Sequence, residues 1–564
     1  MPVVKLFLDR IERLVKRSFS REELRELLFR LKAEAEFENG YVVVEVNSDR
    51  PDLMISEGLA RAIKGLLNIE RGYPKYNYFN EDLILRVEDV PSRPYIAMAT
   101  IRDISPGEDF LIELIQFQEK LHGGIGRDRR KVAIGIHDLS KIRGSECIYR
   151  YVSLDDKMIP LHIGVEISIK EVLMKTEQGL RYGSLSLDRD KHPAIICDGD
   201  IISLPPVINS DLTRLEPRTK DLLIDVTGTD LEAVLSTLEI LTTTIAENSS
   251  GRRIGKVLVE ASWGNDYFPK ALSREEILDK RYVNEIIGED LSLDVIIDSL
   301  EKARFGVEKI SEEAVRVLIP PYRIDILHKI DLVEDIVISY GLDKISAEPV
   351  EVVERGSLTK DTLLSRRVRD ILTGLGFTEI MGFVLSSEDL YDSVEYPIKV
   401  LVKNPISKDF AVVRISPLLS IINILSHMQN EPKPVKIFEI NNYVTIDPTN
   451  YTGYKTKTSV SIGIMSYEIS FEDIQSVIYS LIKLLGFQPF TRGEILDPTW
   501  ISDLELLIPG RRGGIYIGSV SDKNMIGILG EVKPSILEKL KIRYPMAVAS
   551  IDLLKLSTLY RSTF

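Results

Sequence analysis

The sequence has only two cysteines in 564 residues, Cys147 and Cys197. They cannot build a disulfide framework and neither lies in a CxxC pair, so a reducing compartment is expected and structural zinc is not. Long apolar runs are missing as well. The nearest approach to the ~18–20 residues of a membrane span is the uncharged stretch between Arg414 and Glu431, broken by Pro417, Asn423 and His427. The opening MPVVKLFLDRIERLVKR is charged throughout and lacks the apolar core of a signal peptide. The expectation is a soluble, cytoplasmic protein without membrane contact. Excess positive charge is also lacking: 72 Lys+Arg against 86 Asp+Glu leave −14, with a pI of about 5.2. That argues against a strongly basic nucleic-acid binder and leaves RNA to local patches or a more basic partner. No GxxxxGK[ST] loop, GxGxxG turn, GxSxG elbow or HExxH pair occurs, which removes the commonest nucleotide, hydrolase and zinc-protease motifs.

What is present is ordinary globular material, 44% hydrophobic and 28% charged, long enough for three to five domains. The first segment has a short apolar strand, then Ser20-Arg-Glu-Glu23, which reads as a capping box opening a helix with Leu24, Leu27, Leu28 and Leu31. Tyr41–Val46 reads as a strand and Gly58–Leu67 as a helix. The Gly72–Pro74 turn and an aromatic-polar stretch place a boundary near residue 85. From 86 to about 266 strands and helices alternate, with a helix over Ala233–Ala246. The basic turns Arg127–Lys131 and Arg252-Arg253 read as solvated. Ser273-Arg-Glu-Glu276 repeats the capping-box pattern and opens a compact unit ending in Pro320-Pro-Tyr-Arg-Ile-Asp325 and a helix over Asp331–Gly341. Ala347-Glu-Pro-Val and the polar run after it read as a linker. An α+β pattern follows from 356, in which Gly510-Arg-Arg-Gly-Gly514 reads as a hairpin turn.

Two constellations could carry chemistry. Asp331, Glu334 and Asp335 share an arc of roughly 100° on a helix, and Asp325 precedes them. Oxygen-only ligands suit Mg²⁺, whereas the same pattern also describes an acidic, solvated helix face. Asn404-Pro-Ile-Ser407, Arg414 and Phe438-Glu439-Ile440 form the second, by themselves a turn and a buried strand.

The sequence resembles the β subunit of phenylalanyl–tRNA synthetase, of the shorter archaeal and eukaryotic type. The resemblance rests on five ordered motifs: Asn47-Ser-Asp-Arg-Pro-Asp-Leu53 with Glu57–Arg61; Leu204–Ser210; Asp225–Asp230; Pro320–Asp325 with Glu334-Asp335; and Lys403–Ser407 with Arg414. It implies an α+β multidomain chain. Its parts would be an N-terminal α/β module (1–85), an editing, tRNA-binding domain (86–266), a small winged-helix-like, DNA-binding-like metal domain (267–348), and a class II synthetase-like antiparallel-sheet module without an active site (356–564). It implies a Mg²⁺ site of Asp325, Asp331, Glu334 and Asp335. It also implies an editing pocket for tyrosyl-tRNA(Phe) with Leu204 as an apolar wall and Asn209, Ser210, Asp225, Thr227 and Thr229 as polar residues. Aminoacylation with ATP and phenylalanine would then fall to an α subunit in an α2β2 assembly acting on tRNA(Phe). The chain departs from the family pattern at Ile415, Asn441 and Ser550. A stand-alone deacylase and a non-catalytic scaffold are the alternatives.

Overall fold

Alternating burial makes the first strands. In β1 (Val3–Phe7) Val4 and Leu6 point inward, and in β3 (Tyr41–Glu45) Val42 and Val44 do the same. With β2 (Glu34–Glu38) they form an antiparallel sheet of order β1-β3-β2. The N-terminal module expected as α/β is therefore α+β. It is completed by α1 (Leu8–Val15), α2 (Arg21–Arg30) and α3 (Ser56–Leu66). Only half of the expected capping box forms on α2. Ser20 accepts from the Glu23 backbone N–H at 3.2 Å, but the Glu23 carboxylate turns to Arg17.

The computed structural model describes residues 1–348, 355–493 and 495–560. Two compact units result, Met1–Pro349 and Val350–Phe564. The expected linker after Ala347 falls largely outside the described residues.

The centre of the first unit is a ten-stranded mixed sheet. Its strands are β4 (Asn77–Val87), β5 (Tyr95–Ile104), β6 (Val132–Asp138), β7 (Glu146–Ser153), β10 (Lys191–Cys197), β11 (Asp200–Leu204), β12 (Ile208–Asn209), β13 (Leu222–Gly228), β14 (Ser249–Ala261) and β15 (Gly264–Phe268). They follow the order β12-β11-β10-β7-β4-β14-β5-β13-β6, with β15 on β14. Strands β6 and β13 are buried along their whole length, as expected of strands covered on both faces. Helix α7 (Leu231–Ile245) packs on β5 and β13, and α4 (Glu108–Gly123) lies near β6. A short pair, β8 (Lys157–Met158) and β9 (Ile167–Ser168), leads into α5 (Ile169–Lys175) and α6 (Glu177–Tyr182).

The register of β7 on β10 corrects the reading of the cysteines. Cys147 and Cys197 face each other with Cα atoms 4.4 Å apart and are joined in a disulfide. Directly opposed residues of a non-hydrogen-bonded antiparallel pair come within ~4.5 Å, so strand pairing joins cysteines that carry no motif spacing.

The unit ends with β16 (Arg274–Asp279), α8 (Lys280–Ile287), α9 (Leu293–Lys302), β17 (Gly306–Lys309), β18 (Ala314–Ile319) and α10 (Lys329–Tyr340), the strands in order β16-β18-β17. Here Ser273-Arg-Glu-Glu276 opens a strand, not a helix. Asp279 caps α8 by accepting from the Arg281 N–H at 2.8 Å.

The second unit is built on a seven-stranded sheet of order 378–379, 435–446, 454–465, 546–552, 525–532, 507–517 and 489–492, antiparallel apart from the short first strand. Gly510–Gly514 lies inside the strand Leu507–Ile517, where the register shifts, and does not form the expected hairpin turn. No helix among the described residues is long and apolar enough to cross a membrane.

Candidate active site

Strand β13 carries Asp225 opposite Gly135 and Thr227 opposite Ala133 of β6. Residues two apart on a strand share a face, and this face is the floor of a cavity of about 780 Å³. Leu111, Ile115 and Gln118 of α4 form one wall. Gln178, Arg181 and Tyr182 of α6 form another, and the stretch Pro205–Ser210 closes the side.

The two floor groups are held from below. Asp225 Oδ2 lies 2.9 Å from His137 Nε2, and His137 Nδ1 lies 2.7 Å from Thr213 Oγ1. An ionised carboxylate only accepts, so Nε2 carries the ring proton; in the neutral ring Nδ1 then accepts from the Thr213 hydroxyl. Gly135 makes this approach possible, because a Cβ there would stand 2.0 Å from Asp225 Oδ2. Thr227 rests on Arg93, whose Nε donates to Thr227 Oγ1 and whose Nη2 donates to the Thr227 carbonyl, both at 2.9 Å. Arg93 Nη1 donates to the Arg129 carbonyl at 3.2 Å. Arg93 is fully buried, and burial pulls its guanidinium down to about 10.

At the rim, Glu119 sits between His122 Nδ1 at 3.0 Å and Arg129 Nη2 at 2.7 Å. The His122 hydrogen bond, with Arg129 adding its charge, holds the Glu119 carboxyl down at about 2. His122 Nε2 accepts from the Ile134 N–H at 2.9 Å, and burial lowers the imidazole. Arg129 also donates to the carbonyls of Pro206 and Val207 at 3.2 and 3.0 Å and lies over the Tyr182 ring. The turn Arg127–Lys131, read as solvated, thus lends one arginine to the cavity, while Arg252 and Arg253 pair with Glu70 and Asp103.

Of the six residues expected in an editing pocket, Asn209, Ser210, Asp225 and Thr227 line the cavity. Leu204 and Thr229 do not. Leu204 is fully buried in a small cluster with Val152 and Val207, and Thr229 is exposed just beyond β13. Asn209 and Ser210 are engaged in the fold: Asn209 accepts from Ser203 Oγ at 2.9 Å, and Ser210 Oγ donates to the Ile159 carbonyl at 3.0 Å.

The carboxylate cluster takes a different form from the one expected. Arg323 donates to both Asp325 and Asp335. Asp331 accepts from the backbone N–H groups of Leu327 and His328, each at 2.8 Å, and caps α10. Glu334 is exposed and pairs with Lys32 at 3.2 Å. Burial pushes both Asp325 and Asp335 upward; the charge and hydrogen bonds of Arg323 outweigh it at Asp325, which ends low, but not at Asp335, which stays raised.

Two family models match the chain: the phenylalanyl tRNA synthetase beta chain CLM domain over residues 346–553 and the tRNA synthetase B5 domain over 277–342. A phenylalanine–tRNA ligase beta subunit of Sulfurisphaera tokodaii is 40% identical over 98% of this chain and 99% of its own length. That of Aeropyrum pernix is 39% identical over 98% of each. The chain belongs to the family of phenylalanine–tRNA ligase beta subunits. In keeping with that family, a solved N-terminal fragment of the phenylalanyl-tRNA synthetase beta subunit from Pyrococcus horikoshii covers 60% of this chain and 99% of the fragment. Its identity is 36% and its TM-score 0.58. The likeness to beta subunits over nearly the full length does not favour a stand-alone deacylase or a scaffold paralogue.

The Mg²⁺ set drawn from that family does not fit this chain by itself. Among the described residues no group of three or more His, Cys, Asp or Glu side chains could hold a metal. The helical arc does put Asp331 and Asp335 on one face, but Arg323 takes the position of a cation between Asp325 and Asp335. In the second unit, Arg414 is buried against Glu439 at 2.8 Å and the Asn442 carbonyl at 2.8 Å. The family departure Asn441 is absorbed here, its amide donating to Glu439 Oε1 at 2.6 Å and to the Gly382 carbonyl at 3.0 Å. Ile415 packs against the core of that unit, whereas Ser550 is buried with its hydroxyl unpartnered.

Proposed function

We propose that residues 86–266 form an editing domain whose cavity hydrolyses tyrosine wrongly esterified to tRNA(Phe). The observation that carries this reading is a cavity with mixed apolar and polar walls whose floor offers a carboxylate and a hydroxyl on adjacent same-face positions, Asp225 and Thr227. Its volume of about 780 Å³ suits a small-molecule site. An apolar synthetic pocket rejects an added hydroxyl only about a hundredfold, so a second site that requires the hydroxyl has a clear physical use. In the reaction a water oxygen bonds to the acyl carbon and the bond to the ribose oxygen breaks. The proton released by water ends on that ribose oxygen. Arg214 at the cavity and Lys141 in the groove beside it could meet the phosphates of the tRNA end.

The remaining segments fit a β chain of an α2β2 ligase in which an α chain joins ATP, phenylalanine and tRNA(Phe). We assign 267–348 to a B5-like, winged-helix-like domain and 356–564 to a synthetase-like module without its own active site. Met381, Phe383 and Ile406 are 90%, 79% and fully exposed on that module, and exposed apolar groups of this kind suit a covering subunit. The test is deacylation of tyrosyl-tRNA(Phe) by the α–β complex, compared with Asp225→Ala and Thr227→Ala. Slower hydrolysis in both variants is expected. Equal rates in all three would remove the editing assignment.

A further inference from the structure

Arg93 is a buried guanidinium beside the cavity. It is 0% exposed, lines no part of the cavity, and its hydrogen bonds go to one hydroxyl and two carbonyls, with no carboxylate among them. A buried charge without an ionic partner costs several kcal/mol. What it secures follows from the chemistry of its donors. A guanidinium can donate but never accept, so the Thr227 hydroxyl must receive the Arg93 Nε–H on a lone pair and turn its own proton elsewhere. Among the described residues no acceptor takes that proton, and Thr227 lines the cavity. His137 acts on the neighbouring group in the complementary sense. Its Nε2–H occupies Asp225 Oδ2, and no described residue donates to Oδ1.

We infer that Arg93 and His137 are positioning residues that fix the floor as one hydrogen-bond donor, Thr227 Oγ–H, beside one acceptor, Asp225 Oδ1, a pair complementary to the hydroxyl of a phenol. This inference rests on the editing reading and adds to it the source of its selectivity. A phenol oxygen has one proton to give to Asp225 and lone pairs to take the proton of Thr227. A phenyl ring has neither, and its entry leaves both floor groups desolvated and unpaired. Sites that hydrogen-bond a substrate hydroxyl reject the analogue lacking it by about 10⁴–10⁵. Neutral replacements would not secure the arrangement. A glutamine at position 93 carries both donor and acceptor atoms, so it could take the Thr227 proton and reverse the floor.

The experiment measures kcat/KM for deacylation of tyrosyl-tRNA(Phe) and of phenylalanyl-tRNA(Phe) by the full α–β complex. Arg93→Gln is expected to lower the tyrosyl value about tenfold or more while the phenylalanyl value changes less than about twofold. Arg93→Lys, which keeps a donor-only group, should retain most of the tyrosyl preference. In parallel, His137→Gln, which keeps an N–H for Asp225, should preserve the ratio better than His137→Leu. Both comparisons stand separately if one variant fails to fold. A fall of the same factor for both esters, or an unchanged ratio in Arg93→Gln and His137→Leu, would overturn the inference and leave the two residues structural. Absence of tyrosyl deacylation by the unmodified complex would overturn the editing reading itself, and this inference with it.

Discussion

Gly135→Ala is the smallest change that tests the floor of the cavity. Gly135 is not among the glycines with positive φ, so its backbone conformation admits alanine. In a strand interior alanine would even gain about 0.5–1 kcal/mol over glycine. Space alone forbids it. The added methyl carbon would stand 2.0 Å from Asp225 Oδ2, 2.8 Å from its Cγ and 3.0 Å from His137 Nε2. Overpacking of this kind costs about 1–3 kcal/mol, and turning the carboxylate away from His137 forfeits a charge-assisted hydrogen bond worth about 1.5–3 kcal/mol. Since the carboxylate can escape the clash only by giving up the bond, the two costs overlap. Less the strand gain, the net is about 2 kcal/mol of destabilisation. For units of 150–250 residues each kcal/mol lowers Tm by about 2–4 °C, and the unit Met1–Pro349 is larger, so a fall of at most about 4–8 °C is expected. Thermal unfolding of the full chain reads the first effect, and tyrosyl-tRNA deacylation reads the displaced carboxylate as a slower rate. A variant as stable as the parent, with undiminished deacylation, would refute the close approach of β6 to Asp225.

The remaining expectations concern other parts of the first unit. The Cys147–Cys197 bond closes a loop with a sequence separation of 50, worth about 4 kcal/mol in the chain-entropy account. Chain purified and denatured without reductant should therefore titrate no free thiols, and two thiols would contradict the pairing. His192 is 0% exposed and burial lowers its imidazole to about 4. Its folded value lies below the unfolded value of about 6.5, so the unfolded chain binds more protons between those limits and stability falls as pH drops from about 6.5 to 4, by roughly 3 kcal/mol. His192→Leu should flatten that part of the stability–pH curve, and an unchanged slope would exclude His192 as its cause. Finally, because Arg323 already joins Asp325 to Asp335, excess EDTA should move the Tm of the chain alone by less than about 1 °C. A larger drop would show that these carboxylates hold a metal after all.

Local signals were legible where a short stretch decides its own structure. Alternation at Tyr41–Val46 and helical spacing at Leu24, Leu27 and Leu28 correspond to β3 and α2, and the helix read over Asp331–Gly341 is α10 with its start moved to Lys329. Failures occurred where two structures share one pattern. Ser-Arg-Glu-Glu at 20 and at 273 is the same string, yet the first precedes apolar residues at helical spacing and the second pairs with β18 as an edge strand. Full capping boxes form elsewhere, as at Ser168 and Glu171 on α5 and at His328 and Asp331 on α10. Glycines misled similarly, since Gly510–Gly514 serves a register shift inside a strand.

The site divides along the same line. Asp225 and Thr227 come to notice through the resemblance, as part of the motif Asp225–Asp230, and the structure puts them two apart on one face of β13. His137, Thr213 and Arg93 carry no such signal, for they come from separate segments and come together only in the folded sheet, as does Arg129 at the rim. Arg323 lies in the motif Pro320–Asp325; the acid pattern by itself leaves a solvated face and a metal site both open, the resemblance alone points to Mg²⁺, and neither reading supplies Arg323 as the counter-charge to Asp325 and Asp335. Sequence exposes the groups that face a ligand. The buried donors that fix which way those groups point become visible only with the sheet, and in this chain they include Arg93 beneath Thr227 and His137 beneath Asp225.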